Sequence, residues 1–151
     1  MSEKLSNTPK ILLLIITLVF SLITGCDRGN NTTLIEEKAR VKQVMEMRQK
    51  AIQTKDIELY KQVIFTGFSD GGVNYDGIIE EMAEKFEKYE IIEFTFQRST
   101  VDMDMNSARM VGQISYKATG MEKPVYSQER TIFRRVDGKW TISAGIKTGL
   151  F

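Results

Sequence analysis

Hydrophobic positions along this chain change their spacing twice. Ile11 to Ile23 is an unbroken apolar run without a charge. Beyond Thr33 the apolar residues become periodic: Val41, Val44, Met45, Ala51 and Ile52 fall on one face of a helix that should run to about Thr54. Thr33-Leu34-Ile35-Glu36 has the form of a capping box at its start. Arg48 falls inside the apolar stripe, where a cation is out of place. Asp56 is positioned to cap a second, short helix over Ile57–Ile64 that buries Leu59, Tyr60 and Val63. Phe65–Ser69 reads as a short strand, broken by Asp70-Gly71-Gly72. Asn74 or Asp76 caps a third helix to about Tyr89, with Ile78, Ile79, Met82, Phe86 and Tyr89 facing inward.

From Ile91 the period becomes two. Ile92, Phe94 and Phe96 alternate with polar residues, as do Val101, Met103 and Met105. A two-residue turn at Asn106-Ser107 would set Met103 against Met110, Val101 against Gly112 and Asp104 against Arg109. The same face continues through Ile114, Tyr116 and Ala118. After a loop at Thr119–Pro124, Val125–Val136 is a long strand and Asp137-Gly138 a strong hairpin signal. That hairpin pairs Phe133 with Ile142, Thr131 with Ala144 and Arg135 with Trp140. Three N-terminal helices followed by an antiparallel meander predict an α+β fold, with one curved sheet wrapped around a helix.

The stretches "AIQTKDIELYKQVI", "DGIIEEMAEKF" and "RTIFRRVDGKWTIS", in that order and spacing, resemble the nuclear transport factor 2-like superfamily. The resemblance covers roughly Glu36 to Ile146. It implies a cone-shaped, cystatin-like fold whose open end is often a pocket. It also implies a homodimer through the outer sheet face as one expected assembly. The superfamily includes ketosteroid isomerases and polyketide cyclases, but fold does not carry function with it. Laid on the isomerase pattern, the base falls near Asp70, the oxyanion tyrosine on Arg48 and the protonated aspartate on Thr131. A carboxylate survives that overlay; the donor pair does not.

The first apolar run is too short for a spanning helix, which needs about 20 residues, and suits a secretory signal. It ends in Ile23-Thr24-Gly25-Cys26, which resembles the lipobox of bacterial lipoproteins. The expected organisation is a signal peptide over 1–25, a lipidated Cys26 and polar tether over 26–33, and a folded domain over 34–151. The resemblance implies a membrane anchor through lipid on Cys26, with the domain facing the periplasm or the cell exterior. Asp27 after the cysteine resembles an inner-membrane retention signal. Removing Met1–Gly25 takes away Glu3, Lys4 and Lys10 and leaves the remainder formally neutral.

Composition narrows the chemistry. The formal net charge of +1 gives no basic field for nucleic acid. One cysteine permits no intramolecular disulfide and no cysteine-based zinc site. No histidine is present, so Ser-His and Cys-His catalysis are excluded. No cofactor is implied. Asp102 and Asp104 share a strand face, but pairing with Arg109 accounts for Asp104 more simply than a metal does. Arg48 has two readings: it points into the cone and fixes a small anionic ligand, or its stem packs on the stripe while the guanidinium snorkels out to solvent or pairs with an acid such as Asp70. Tyr116 and Tyr126 are candidate cone-lining residues, and Thr131 and Tyr116 join Arg48 as the candidate ligand-binding set. Asp70 is the candidate catalytic carboxylate.

Two functions compete. The favoured one is a lipoprotein that binds a small ligand or a protein partner without catalysis. The alternative is a pocket enzyme of lyase, isomerase or hydrolase type using Asp70 with Arg48. The address has its own test. Cells fed labelled palmitate should label the full chain and not Cys26→Ala; label persisting in the variant would mean that Ile23–Cys26 is no lipobox.

Overall fold

Asp56 and Asn74 act as the sequence predicts. The computed structural model describes residues 28–146, with side chains from residue 33 onward. Helix α1 spans Arg28–Thr54 and α2 spans Ile57–Val63, with the Asp56 carboxylate accepting from the Leu59 amide at 2.9 Å. Helix α3 spans Tyr75–Lys88, and Asn74 caps it by accepting from the Gly77 amide at 2.9 Å. The expected start of α1 differs: Arg28–Asn31, read as tether, is already helical, so the Thr33–Glu36 box lies inside the helix. Extending a formed helix by a turn costs far less than nucleating one. Cys26 and the apolar run before it lie outside the described residues.

The described residues from Glu36 onward form one compact unit. Its sheet has strands β3 (Ile92–Met103), β4 (Ser107–Ala118), β5 (Val125–Val136) and β6 (Lys139–Ala144) in that spatial order, each antiparallel to the next. Strands β1 (Ser69–Asp70) and β2 (Val73–Asn74) make a separate small ribbon around Gly71 and Gly72, both at positive φ. The strand expected over Phe65–Ser69 is a turn instead. The Phe65 amide donates to the Ile142 carbonyl, and the Phe68 amide folds back onto the Phe65 carbonyl, both at 2.8 Å. One long-range bond and one local turn bond together outweigh a local strand preference.

Two registers shift from expectation. The β3–β4 turn is centred on Met105–Asn106, because the Asp104 amide donates to the Ser107 carbonyl at 2.8 Å and the Asp104 side chain accepts from the Met105 amide at 2.8 Å. Val101 therefore pairs with Met110, and Arg109 bonds Asp102 at 3.0 Å rather than Asp104. Inner and outer faces are unchanged, since the slip is an even number of residues. On the last hairpin Phe133–Ile142 and Arg135–Trp140 pair as expected, but an irregularity sets Ile132, not Thr131, opposite Ala144. Arg135 lies 6.0 Å over the Trp140 ring, and the indole N–H donates to Glu37 at 2.6 Å.

Strand β3 is a sheet edge, and α1 covers it with two side-chain amides. Gln53 donates to the Phe94 carbonyl at 2.8 Å, and Gln49 accepts from the Phe96 amide at 3.0 Å. This occupies edge groups that would otherwise be open to another strand. It also lays the buried face of α1, with Arg48, across the inner face of the sheet.

Gly145 gives a stability test. It sits at φ +83, and a Cβ there would lie 1.8 Å from the Arg130 carbonyl oxygen. Gly120 is also left-handed, at φ +91, but opens onto empty space. Gly120→Ala should cost about 1–2 kcal/mol of backbone strain in denaturant unfolding. Gly145→Ala should cost roughly 4 kcal/mol or more, because backbone must move. Equal losses would refute this close approach.

Candidate functional site

Arg48 lies on the buried stripe of α1 and is 1% exposed. Its charge is met from β5, where the period of two turns Glu129, Thr131 and Phe133 inward. The guanidinium grips Glu129 with both terminal nitrogens, Nη1 to Oε1 at 2.5 Å and Nη2 to Oε2 at 3.2 Å. The Thr131 hydroxyl donates to the same Oε1 at 3.0 Å. Phe94 underlies the guanidinium at 5.0 Å. Glu129 pairs across the sheet with Gly112, which has no side chain to crowd the carboxylate.

The pair leaves one donor over. Arg48 Nε and the Tyr60 hydroxyl are buried and meet no partner in full hydrogen-bond geometry among the described residues. Charge and hydrogen-bonding interaction between the two side chains shift the ionisation of both, although neither atom meets a partner in full hydrogen-bond geometry. Tyr60 comes from α2 and stands edge-on to Phe86 of α3, with ring centroids 6.5 Å apart. Burial pushes its hydroxyl up to about 12; Arg48 opposes this, and the Glu129 and Glu81 charges add to it. Tyr60 is therefore neutral, a donor, at any physiological pH. Burial alone would lower the Arg48 pKa, but the Glu129 charge, then Tyr60, and hydrogen bonding to both outweigh it, and the net shift is upward. The cluster thus holds one cation, one anion and two unused N–H and O–H groups on adjacent side chains.

Such a centre can polarise an oxygen. Two preorganised donors in a low-dielectric site stabilise charge developing on a carbonyl or alkoxide oxygen. It is less suited to an anion: Arg48 is already neutralised by Glu129, and a second buried negative charge would face the carboxylate unpaired.

The predicted site residues divide. Arg48 and Thr131 meet, both through Glu129. Tyr116 is buried on the same sheet face, opposite Phe94. Tyr126 is 64% exposed on the other face, one residue out of phase with Glu129 and so not part of the cone. Asp70 does not join Arg48. Its Oδ2 accepts from the Gly145 amide at 2.7 Å, fastening β1 to the end of β6. The pairing of Asp70 with Arg48 is corrected accordingly: the acid is Glu129. Among the described residues no three metal-ligating side chains come together.

Glu129 and Tyr60 were missed in the sequence. The alternation of Glu129 with Thr131 and Phe133 was a usable signal, since it places a carboxylate on the face that Arg48 must meet. Tyr60 carries no such mark; its spacing is that of any core aromatic.

No protein-family model matches the chain, and no curated protein is detectably similar to it in sequence. Solved structures are similar in fold. The Kfla4162 protein of Kribbella flavida superposes with a TM-score of 0.68 at 11% identity, over 78% of this chain and 93% of that one. Bd1075 of Bdellovibrio bacteriovorus gives 0.66 at 16% identity over 74% of this chain, which spans only 40% of Bd1075. A hexachlorocyclohexane dehydrochlorinase, LinA type 2, gives 0.64 at 8% identity, over 76% of this chain and 85% of that one. The chain has the nuclear transport factor 2-like, cystatin-like α+β fold. These neighbours also overturn the preference for a domain without catalysis. The fold carries a named dehydrochlorinase, and the missing histidine excludes only the chemistries that use one.

The buried pair and Tyr60 can be tested by stability alone. Glu129→Gln, which leaves Arg48 buried and uncompensated, should cost about 3–5 kcal/mol, and Arg48→Met with Glu129→Leu together should cost less than either single change. For Tyr60 the unfolded hydroxyl ionises near its ordinary value and the folded one near 12. The stabilisation is therefore complete below about pH 10 and lost as pH rises towards 12, by about 2–3 kcal/mol. Tyr60→Phe should remove that alkaline loss; an unchanged pH profile would refute the assignment.

Proposed function

We propose that the domain is a pocket enzyme of lyase or isomerase type, acting on a small neutral substrate through its carbonyl oxygen. One observation carries this: two buried neighbouring groups, Arg48 Nε–H and the Tyr60 hydroxyl, meet no partner in full hydrogen-bond geometry among the described residues. A buried unsatisfied donor costs about 1–3 kcal/mol, so a pair of them is retained against stability.

In this reading the substrate oxygen accepts from both donors. Glu129 is the one buried carboxylate among the described residues and takes the proton from the adjacent carbon. The C–H electron pair moves toward the oxygen held by Arg48 and Tyr60. Collapse either returns the proton at another carbon, an isomerisation, or expels a leaving group, an elimination. Thr131 and Arg48 position the carboxylate. The dehydrochlorinase of similar fold is named for an elimination, which agrees with the second outcome. The domain is further proposed to work outside the cytoplasm, held to a membrane by lipid on Cys26.

Reaction class can be tested before the substrate is known. In D2O the protein should exchange the α-hydrogens of a simple ketone such as cyclohexanone faster than buffer does. Glu129→Gln should lose roughly 10²-fold or more of that exchange. Tyr60→Phe should lose about tenfold or more while its Tm stays level or rises, since the change removes an unsatisfied hydroxyl. Exchange no faster than buffer, or undiminished in both variants, would overturn the reading. So would a thermal shift with acetate or phosphate larger than with cyclohexanone.

A further inference from the structure

The donors of the proposed site are sealed from solvent, so a substrate needs a way in. Between α1 and the sheet is a cavity of about 100 Å³, lined by Lys42, Met45, Glu46, Gln49, Phe96 and Met110 among others. Ligand sites usually need about 300 Å³ or more, so this space alone admits little. Its walls are the immediate neighbours of the polar centre. Met45 lies one helical turn before Arg48 on the buried face of α1, and Met110 pairs across the sheet with Thr131.

Phe96 forms the wall of this cavity on the β3 side. It follows Phe94 on the inner face of β3, but Phe94 is fully buried and Phe96 only half. Its ring occupies the volume a side chain at position 112 would take: a Cβ on Gly112 would lie 2.4 Å from the ring Cζ. Gly112 is the cross-strand partner of Glu129, so the ring lies over the strand position that faces Glu129. The strand loses register immediately afterwards, between Gln97 and Thr100, with Arg98 at φ +51. The Phe96 amide is held by the Gln49 side chain, so the ring can turn about its own bonds without unpairing the backbone.

We propose that Phe96, seated on Gly112, is the gate between the outer cavity and the Arg48–Glu129–Tyr60 centre, and that it sets the size of neutral substrate admitted. This rests on the function proposed above, but its test does not. Turning the ring outward would join the outer cavity to the space over Gly112 and expose Arg48 Nε–H from the side of Met45 and Met110. The neighbouring methionines are unbranched and adapt to the new shape.

The experiment is hydrogen exchange of the buried arginine Nε–H, followed by NMR in the full protein labelled with 15N-arginine. Phe96→Ala should speed exchange at Arg48 by roughly tenfold or more beyond Ile146→Ala, a core substitution away from the gate used to match the loss of global stability. Gly112→Ala, whose Cβ displaces the ring, should speed it too, and Gly112→Ala with Phe96→Ala should be no faster than Phe96→Ala alone. Equal acceleration in Phe96→Ala and the stability-matched control would overturn the gate. Ketones provide the second arm. Phe96→Ala should bind a ketone bulkier than cyclohexanone that wild type excludes. Faster exchange without any ketone binding would support the gate and refute the donor reading. Unchanged exchange would refute the gate whatever the ketones do.

Discussion

A cation and an anion buried together in a small core constrain everything around them. Arg48 and Glu129 are each almost wholly excluded from water, so neither tolerates loss of the other. The pair joins the first helix to an inner strand of the sheet. Gln49 and Gln53, on the neighbouring turn, fix the same helix to the sheet edge. Helix rotation and translation are thereby set to within a hydrogen bond's tolerance. The same constraint aims Arg48 Nε at the side of Tyr60, since both terminal nitrogens are committed to the carboxylate.

An apolar replacement of such a pair is often as stable or more so, which makes its presence a poor argument for stability and a better one for use. The two idle donors sharpen that point. In a low-dielectric interior they bind a polar oxygen more strongly than they would in water, and their orientation is prepaid by folding. The burial that gives them strength also denies them a substrate, and a movable aromatic over a glycine resolves the conflict with little change in the fold. Pairing of Arg48 with Glu129 leaves the centre formally neutral, and the proposal of an uncharged substrate follows from that pairing.

Much of the fold was legible because its signals are local. Helix caps at Asp56 and Asn74, the switch to a period of two at Ile92 and the Asp137-Gly138 turn each depend on a few adjacent residues. The β3–β4 register was misplaced by two because Asp104 organises its own turn, a choice that neighbouring sequence does not display. Of the site, Arg48 was visible as a charge in an apolar stripe, but its partner was not. Glu129 is far away along the chain, and Asp70, an acid in a glycine turn, was the more conspicuous candidate. Sequence shows that a buried charge needs a counter-ion; only the pairing of strands shows which one. Tyr60 illustrates the remaining gap, since an unsatisfied hydroxyl and a satisfied one have the same spacing.

The most direct test of the central claim is to watch the idle donor itself. In an NMR titration of the 15N-arginine protein with cyclohexanone, the Arg48 Nε–H resonance should move downfield and saturate, and Tyr60→Phe should weaken that saturation. A resonance that does not move while exposed arginines do, or that moves identically in Tyr60→Phe, would contradict a shared oxygen site between Arg48 and Tyr60.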